Sequence, residues 1–248
     1  MRSTFLVLLT LAFAVSPFVA ATAQGPAKTD KPVRVLIVTG VDYVGHLWKE
    51  TAPAVQKVLE RNKRIEARIV EDPEFLAAPA VSDYDVIFLH FKNYQPFSRE
   101  KEIRENLAKL VKQGKGLVAI HLACGAFEDW PEYANLAGKV LDKTSAHDPR
   151  GPFQVRIIDK DHPLTCGMQD FQADDELYRC LVDGRPVQLL ATARSKITGK
   201  DYPMAFAFEY GKGRVFHTPL GHDVRAIEIP GTAELLRRGC LWAAGRKP

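Results

Sequence analysis

Short apolar runs separated by amphipathic stretches restrict this chain more than any other feature. "VRVLIVTG" (33–40), "IEARIV" (65–70), "YDVIFLH" (84–90) and "GLVAI" (116–120) have strand length. Three of them carry an unbroken apolar centre, as strands covered by helices on both faces do. Between them, Trp48, Ala52, Val55, Val58 and Leu59 recur at helical spacing in "HLWKETAPAVQKVLERN" (46–62). Ile103, Leu107, Leu110 and Val111 do the same between 98 and 113. This β-α-β-β-α-β order predicts an α/β fold with a doubly wound, mostly parallel sheet. The later runs "FQVRIID" (153–159), "VQLLATAR" (187–194), "YPMAFAFEY" (202–210) and "GRVFHTPL" (213–220) alternate more and predict an antiparallel extension. A last helix is expected over 233–244, with Leu236, Cys240, Ala243 and Ala244 on one face.

The amino terminus reads differently. Arg2, the apolar stretch "FLVLLTLAFAV" (5–15) and the small residues Ala21-Thr22-Ala23 have the layout of a cleavable signal peptide over 1–23. A leader over 24–32 would then precede a single domain over 33–246. The apolar stretch is short for a bilayer span of about 20 residues, so no membrane span is expected after cleavage and the product would be periplasmic or secreted. Lys and Arg total 34 against 30 Asp and Glu, evenly spread, which argues against a nucleic-acid partner. Of the four cysteines, Cys166 and Cys180 are candidates to pair within one long loop region, Cys240 reads as a small core residue, and zinc-finger spacing is absent.

Ligands of open α/β sheets settle beyond the carboxyl ends of the strands. There this sequence places Tyr43 and His46, His90, Asn93 and Tyr94, His121, and His217, His222 and Asp223. Two further clusters are "SAHDPRGPF", with His147, Asp148 and Arg150, and "DHPLTCGMQDFQADDELY", with His162, Asp174, Asp175 and Glu176. Histidines with nearby carboxylates suit a divalent cation such as zinc or manganese, or acid–base work. Without an HExxH or HxH pair, a metal site depends on the fold gathering distant residues.

Plainer roles stand beside these. His46 would cap a helix, His90 and His217 would be buried rings, "DDELY" would be a solvated acidic loop, and Arg150 would pair with a carboxylate. His121 and His222 each end a buried strand where sheet meets solvent, so for these two the functional reading is preferred. Cys124, three residues past His121, is where a helix N-terminus or a histidine would lower a thiol pKa. It reads better as a packed small residue beside Gly125.

Together "GKGLVAIHLACGAF", "DKDHPLTCGMQDFQADDELY" and "YGKGRVFHTPLGHD" make the chain resemble the ThuA-like (trehalose-utilisation) family along nearly all of the mature sequence. The resemblance implies a flavodoxin-like three-layer sandwich related to class I glutamine amidotransferases. In those enzymes a nucleophilic cysteine occupies the strand end where this chain has His121. It also implies a carbohydrate-processing role, directed at 3-keto-disaccharides or glycosides, with a small-molecule sugar as partner and a metal as an aid. Under it, His121, Glu176 and His222 are the expected catalytic residues, with His121 and His222 as metal ligands or electrophiles and Glu176 as base. The resemblance also places His46, His147, Arg150 and Asp175 in the pocket, and these, with Tyr43, Asn93 and Tyr94 from their strand-end positions, are expected to bind substrate. Two rivals are a non-catalytic carbohydrate-binding module, with Trp48, Tyr94, Trp130 and Tyr133 as stacking aromatics, and a Cys124 hydrolase. A homo-oligomer is compatible with all three.

Overall fold

The structure is a computed structural model that describes residues 31–179 and 181–248. The expected signal, most of the leader and the suggested Cys166–Cys180 pairing lie outside the described residues.

The first half forms as its periodicity requires. Val33–Val38 (β1) leads into Trp48–Glu60 (α1), which buries Ala52, Val55, Val58 and Leu59. Ile65–Val70 (β2) and Val86–Leu89 (β3) follow, then Glu100–Lys112 (α2) and Gly116–Ile120 (β4). After a 3-10 turn at His121–Gly125 comes Pro131–Ala137 (α3), started by a proline whose missing N–H costs nothing there. Lys139–Val140 (β5), Ala146–Ile157 (β6), Phe171–Arg179 (β7), Val182–Asp183 (β8), Gln188–Arg194 (β9), Asp201–Tyr210 (β10) and Gly213–Thr218 (β11) form the second half. Val224–Glu228 (α4) and Pro230–Ala243 (α5) close the chain.

Nine strands join in the order β2-β1-β3-β4-β11-β10-β9-β6-β7. From β2 to β11 every pairing is parallel, and from β11 to β7 every pairing is antiparallel. Strand side chains alternate between two cores. Val35, Ile37, Val86 and Val118 pack with α1 and α5, whereas Leu36, Val38, Ile87 and Leu117 pack with α2 and α3. Both faces are covered, which is why the strand sequences are apolar throughout. The result is a flavodoxin-like α/β sandwich with an antiparallel extension.

Two segments differ from their sequence reading. The "DDELY" region is not a solvated loop but part of the nine-residue strand β7, with Ala173, Asp175, Leu177 and Tyr178 buried. "SAHDPRGPF" is the start of β6, its pairing with β7 interrupted between Asp148 and Gly151. The local sequence hid both. Charged residues mask the period of two in β7, and Pro149 and Pro152 look like strand breakers unless an irregularity accommodates them.

Candidate metal centre at the carboxyl edge of the sheet

β1, β3, β4 and β11 run parallel and end along one edge of the sheet. The turn after β4 begins at once, because His121 takes φ +46°, a left-handed conformation that residues with a Cβ seldom adopt. That kink turns the imidazole out of the strand line while keeping it buried. His121 Nδ1 lies 2.9 Å from the Pro219 carbonyl. A carbonyl only accepts, so Nδ1 carries the proton and Nε2 presents a lone pair. His46, in the loop after β1, repeats the device with Nδ1 2.9 Å from the Val44 carbonyl.

The third imidazole comes from the turn after β11. Gly221 has φ +116°, and a Cβ there would stand 2.6 Å from Ile120 Cδ1, so only glycine fits. Its N–H and that of His222 donate to the Asp175 carboxylate at 2.6 and 3.2 Å. Asp175 also accepts from the Glu176 N–H at 2.8 Å. One buried carboxylate from β7 therefore fixes both the backbone that carries His222 and the backbone that carries Glu176.

Four donor atoms meet in this way. His46 Nε2 lies 3.0 Å from His121 Nε2 and 3.1 Å from His222 Nδ1, and the last two are 3.3 Å apart. Glu176 Oε2 is 3.4 Å from His222 Nδ1 and 3.6 Å from His121 Nε2. All four residues offer ligand atoms within 4.8 Å of one another. Tetrahedral zinc with bonds of about 2.0–2.1 Å sets its ligand atoms about 3.3–3.4 Å apart, so the residues fit such an ion. The proton accounting fits as well. His46 and His121 direct their ring protons outward to carbonyls, which leaves two lone pairs facing each other beside a carboxylate. Such an arrangement calls for a positive charge at its centre.

Burial depresses the pKa of His121 to about 3 and lowers that of His46, keeping both neutral as ligands must be. The hydrogen bond with Glu176 raises the pKa of His222. Burial works against ionisation of Glu176, but the His222 hydrogen bond and the surrounding imidazoles outweigh it, and its pKa falls. Asp175 is pushed up to about 7 by burial, against the pull of its three backbone donors.

A cleft of about 430 Å³ opens from the four donors, bounded by Tyr43, His46, Lys92, Glu128, His147 and Tyr178. His147 is half-exposed there, with Nδ1 3.0 Å from the Asp148 carbonyl and 3.7 Å from Glu176 Oε1. Tyr94 is exposed and stacked on Tyr43.

The other expected substrate-binding residues face elsewhere. Asp175 is fully buried against backbone amides. Arg150 is engaged by Asp223 at 2.8 Å and Asp174 at 2.9 Å, the plain ion-pairing role considered for it. Asn93 ties two loops, donating to the Gln95 carbonyl and accepting from the Phe127 N–H.

Several other groups have structural roles. His90, half-buried, meets Thr39 through Nδ1, and His217, fully buried, donates to the Ala137 carbonyl. Tyr133 is 1% exposed and offers no stacking face. Cys124 is fully buried, and burial drives its thiol far above the ordinary range, so it has no thiolate character to offer as a nucleophile.

Tyr178 was not singled out from sequence. Its hydroxyl sits 3.2 Å from His121 Nε2. The signal was present, since Tyr178 lies two residues past Glu176 and so on the same face of a strand, but only if that segment is read as one.

The sequence model of a family described as trehalose utilisation, ThuA, matches residues 34–243. Among solved structures, a ThuA-like protein from Parabacteroides merdae is 24% identical, with TM-score 0.77 over 88% of this chain and 92% of that one. A ThuA-like protein from Bacteroides uniformis is 19% identical, with TM-score 0.69 over 89% and 94%. A β-galactosidase from Bacillus circulans is 13% identical, with TM-score 0.57 over 87% of this chain but 32% of its own. These likenesses are of fold. No curated protein matches the chain.

Proposed function

Since the chain belongs to the ThuA (trehalose utilisation) family, we propose that it is an exported enzyme acting on a carbohydrate at a divalent metal centre. His46, His121, His222 and Glu176 would hold the ion, zinc or manganese in type. The observation that carries this reading is the convergence of three imidazole nitrogens and a carboxylate oxygen at ligand spacing. Bound there, the ion would act as a Lewis acid on a substrate oxygen. The substrate class is a disaccharide or glycoside, and a 3-keto form would have an acidified α-proton for a base to take.

The chain's own residues divide the work. Glu176 belongs with the ligands in this reading rather than acting as a free base. His147, tethered through Nδ1, has Nε2 available for proton transfer in the cleft. Tyr178 would donate a hydrogen bond from its hydroxyl, since burial holds its pKa well above the ordinary phenol value. The 1–23 segment would direct export, and the mature domain would begin near residue 33.

Elemental analysis of the purified protein should find one equivalent of a divalent metal, lost in His121→Ala and His222→Ala. Chelator should abolish turnover of 3-keto-disaccharides and added ion should restore it. A metal-free wild type that turns the sugar over at full rate would sink the proposal. Calorimetric sugar binding without product on long incubation would instead identify a non-catalytic binding module.

A further inference from the structure

Seven large apolar side chains are exposed among the described residues, and they are not scattered evenly. Val44 (86% exposed) and Leu47 (63%) flank His46 on the loop after β1, and Tyr94 (57%) lies against that loop. Isolated exposed apolar residues need no explanation, but a group on the rim of a catalytic cleft does. Tyr43 and Val44 themselves line the cleft that opens from the four donor residues.

The tyrosines form a flat platform. Their rings stack with centroids 4.4 Å apart and planes within 4°. Tyr94 is 57% exposed although one face of its ring lies on Tyr43. The Lys92 ammonium lies 5.4 Å from the Tyr43 centroid. Tyr43 is thus occupied by Tyr94 and overlooked by Lys92, while Tyr94 keeps its outer face open. That open face offers a ligand a π-surface. A sugar ring presenting its C–H face is a partner of this kind, and the exposed Val44, next to Tyr43, adds apolar surface to the rim of the cleft.

Building on the carbohydrate reading of the metal cleft, we propose that the Tyr94–Tyr43–Val44 lip is a second-ring subsite. The substrate is then an extended glycoside, one ring in the cleft beside the four donors and the next ring lying on Tyr94. Free monosaccharide would use only half of the site. The lip is continuous with the cleft and shares residues with it, so one molecule can span both.

The test is calorimetric binding of trehalose and of glucose to metal-loaded wild type, Tyr94→Ala and Tyr94→Phe, with metal content measured in each. Wild type should bind trehalose about tenfold more tightly than glucose, in line with the contribution of one aromatic contact. Tyr94→Ala should bring the two affinities together by weakening trehalose alone, with metal content unchanged. Tyr94→Phe should keep the wild-type preference, because the ring face and not the hydroxyl makes the contact. Equal affinities in wild type, or a preference that survives Tyr94→Ala, would overturn the subsite and leave the metal centre standing. If metal-loaded wild type binds neither sugar, the carbohydrate reading fails and the subsite with it. A dimer in sedimentation that Val44→Ser dissolves would also overturn it, by showing that the lip is covered by a second copy of the chain.

Discussion

His121 holds a left-handed backbone conformation at the end of a buried strand, where the strain is sustained by the Pro219 hydrogen bond and close packing. The same position in a sheet of this kind suits a nucleophile, but an imidazole with its Nδ1 proton committed to a carbonyl offers only a lone pair. That makes it a ligand in the proposed chemistry. Asp175 acts one step further out, through the amides of Gly221, His222 and Glu176. Asp175→Asn keeps the shape but turns one acceptor into a donor facing a backbone N–H. Metal affinity measured by competition with a chelating dye should fall about 10–100-fold, the usual effect of disturbing a group that orients ligands. Unchanged affinity would show that the loop holds itself.

Among the elements, the turn between β11 and α4 carries the most information for its length. Gly221 must adopt positive φ and must lack a Cβ, because Ile120 occupies the space. Gly221→Ala should cost about 1–3 kcal/mol in chemical denaturation, from strain and overpacking together. It should also lower metal affinity, since His222 follows directly. Loss of stability with full metal affinity would separate the turn from the site. Strand β7 shows the opposite relation between sequence and structure. Its acidic residues suggest solvent, yet Asp175 faces inward and Glu176 reaches the imidazoles, so the strand that looked least ordered carries the carboxylates the centre uses.

At the scale of the whole molecule, desolvated neutral histidines couple the fold to pH. Burial depresses His90 and His217 to about 4, below the ordinary imidazole value. An unfolded chain binds these protons below pH ~6.5 while the native one refuses them until near pH ~4, so stability falls as pH drops through that window. Each ring should contribute roughly 1.4 kcal/mol per pH unit there. His217→Asn, which can keep a donor for the Ala137 carbonyl, should give a shallower loss of Tm between pH 6.5 and 4.5 than wild type. Parallel curves would remove His217 from the account. Apolar runs, helical spacing and strand-end histidines were enough to indicate the layered architecture and to nominate His121 and His222, because burial and periodicity leave a local imprint on sequence. Glu176 and His46 enter beside them through the family resemblance, as base and substrate contact. Their meeting as donors to one point, and the diversion of Arg150, Asn93 and Asp175 to holding loops, left no such imprint. Residues 46, 121, 176 and 222 come together only when β1, β4 and β11 end along one edge of the sheet and β7 comes against the last turn. Which nitrogen faces inward is then set by backbone carbonyls that are far away in sequence or invisible to it.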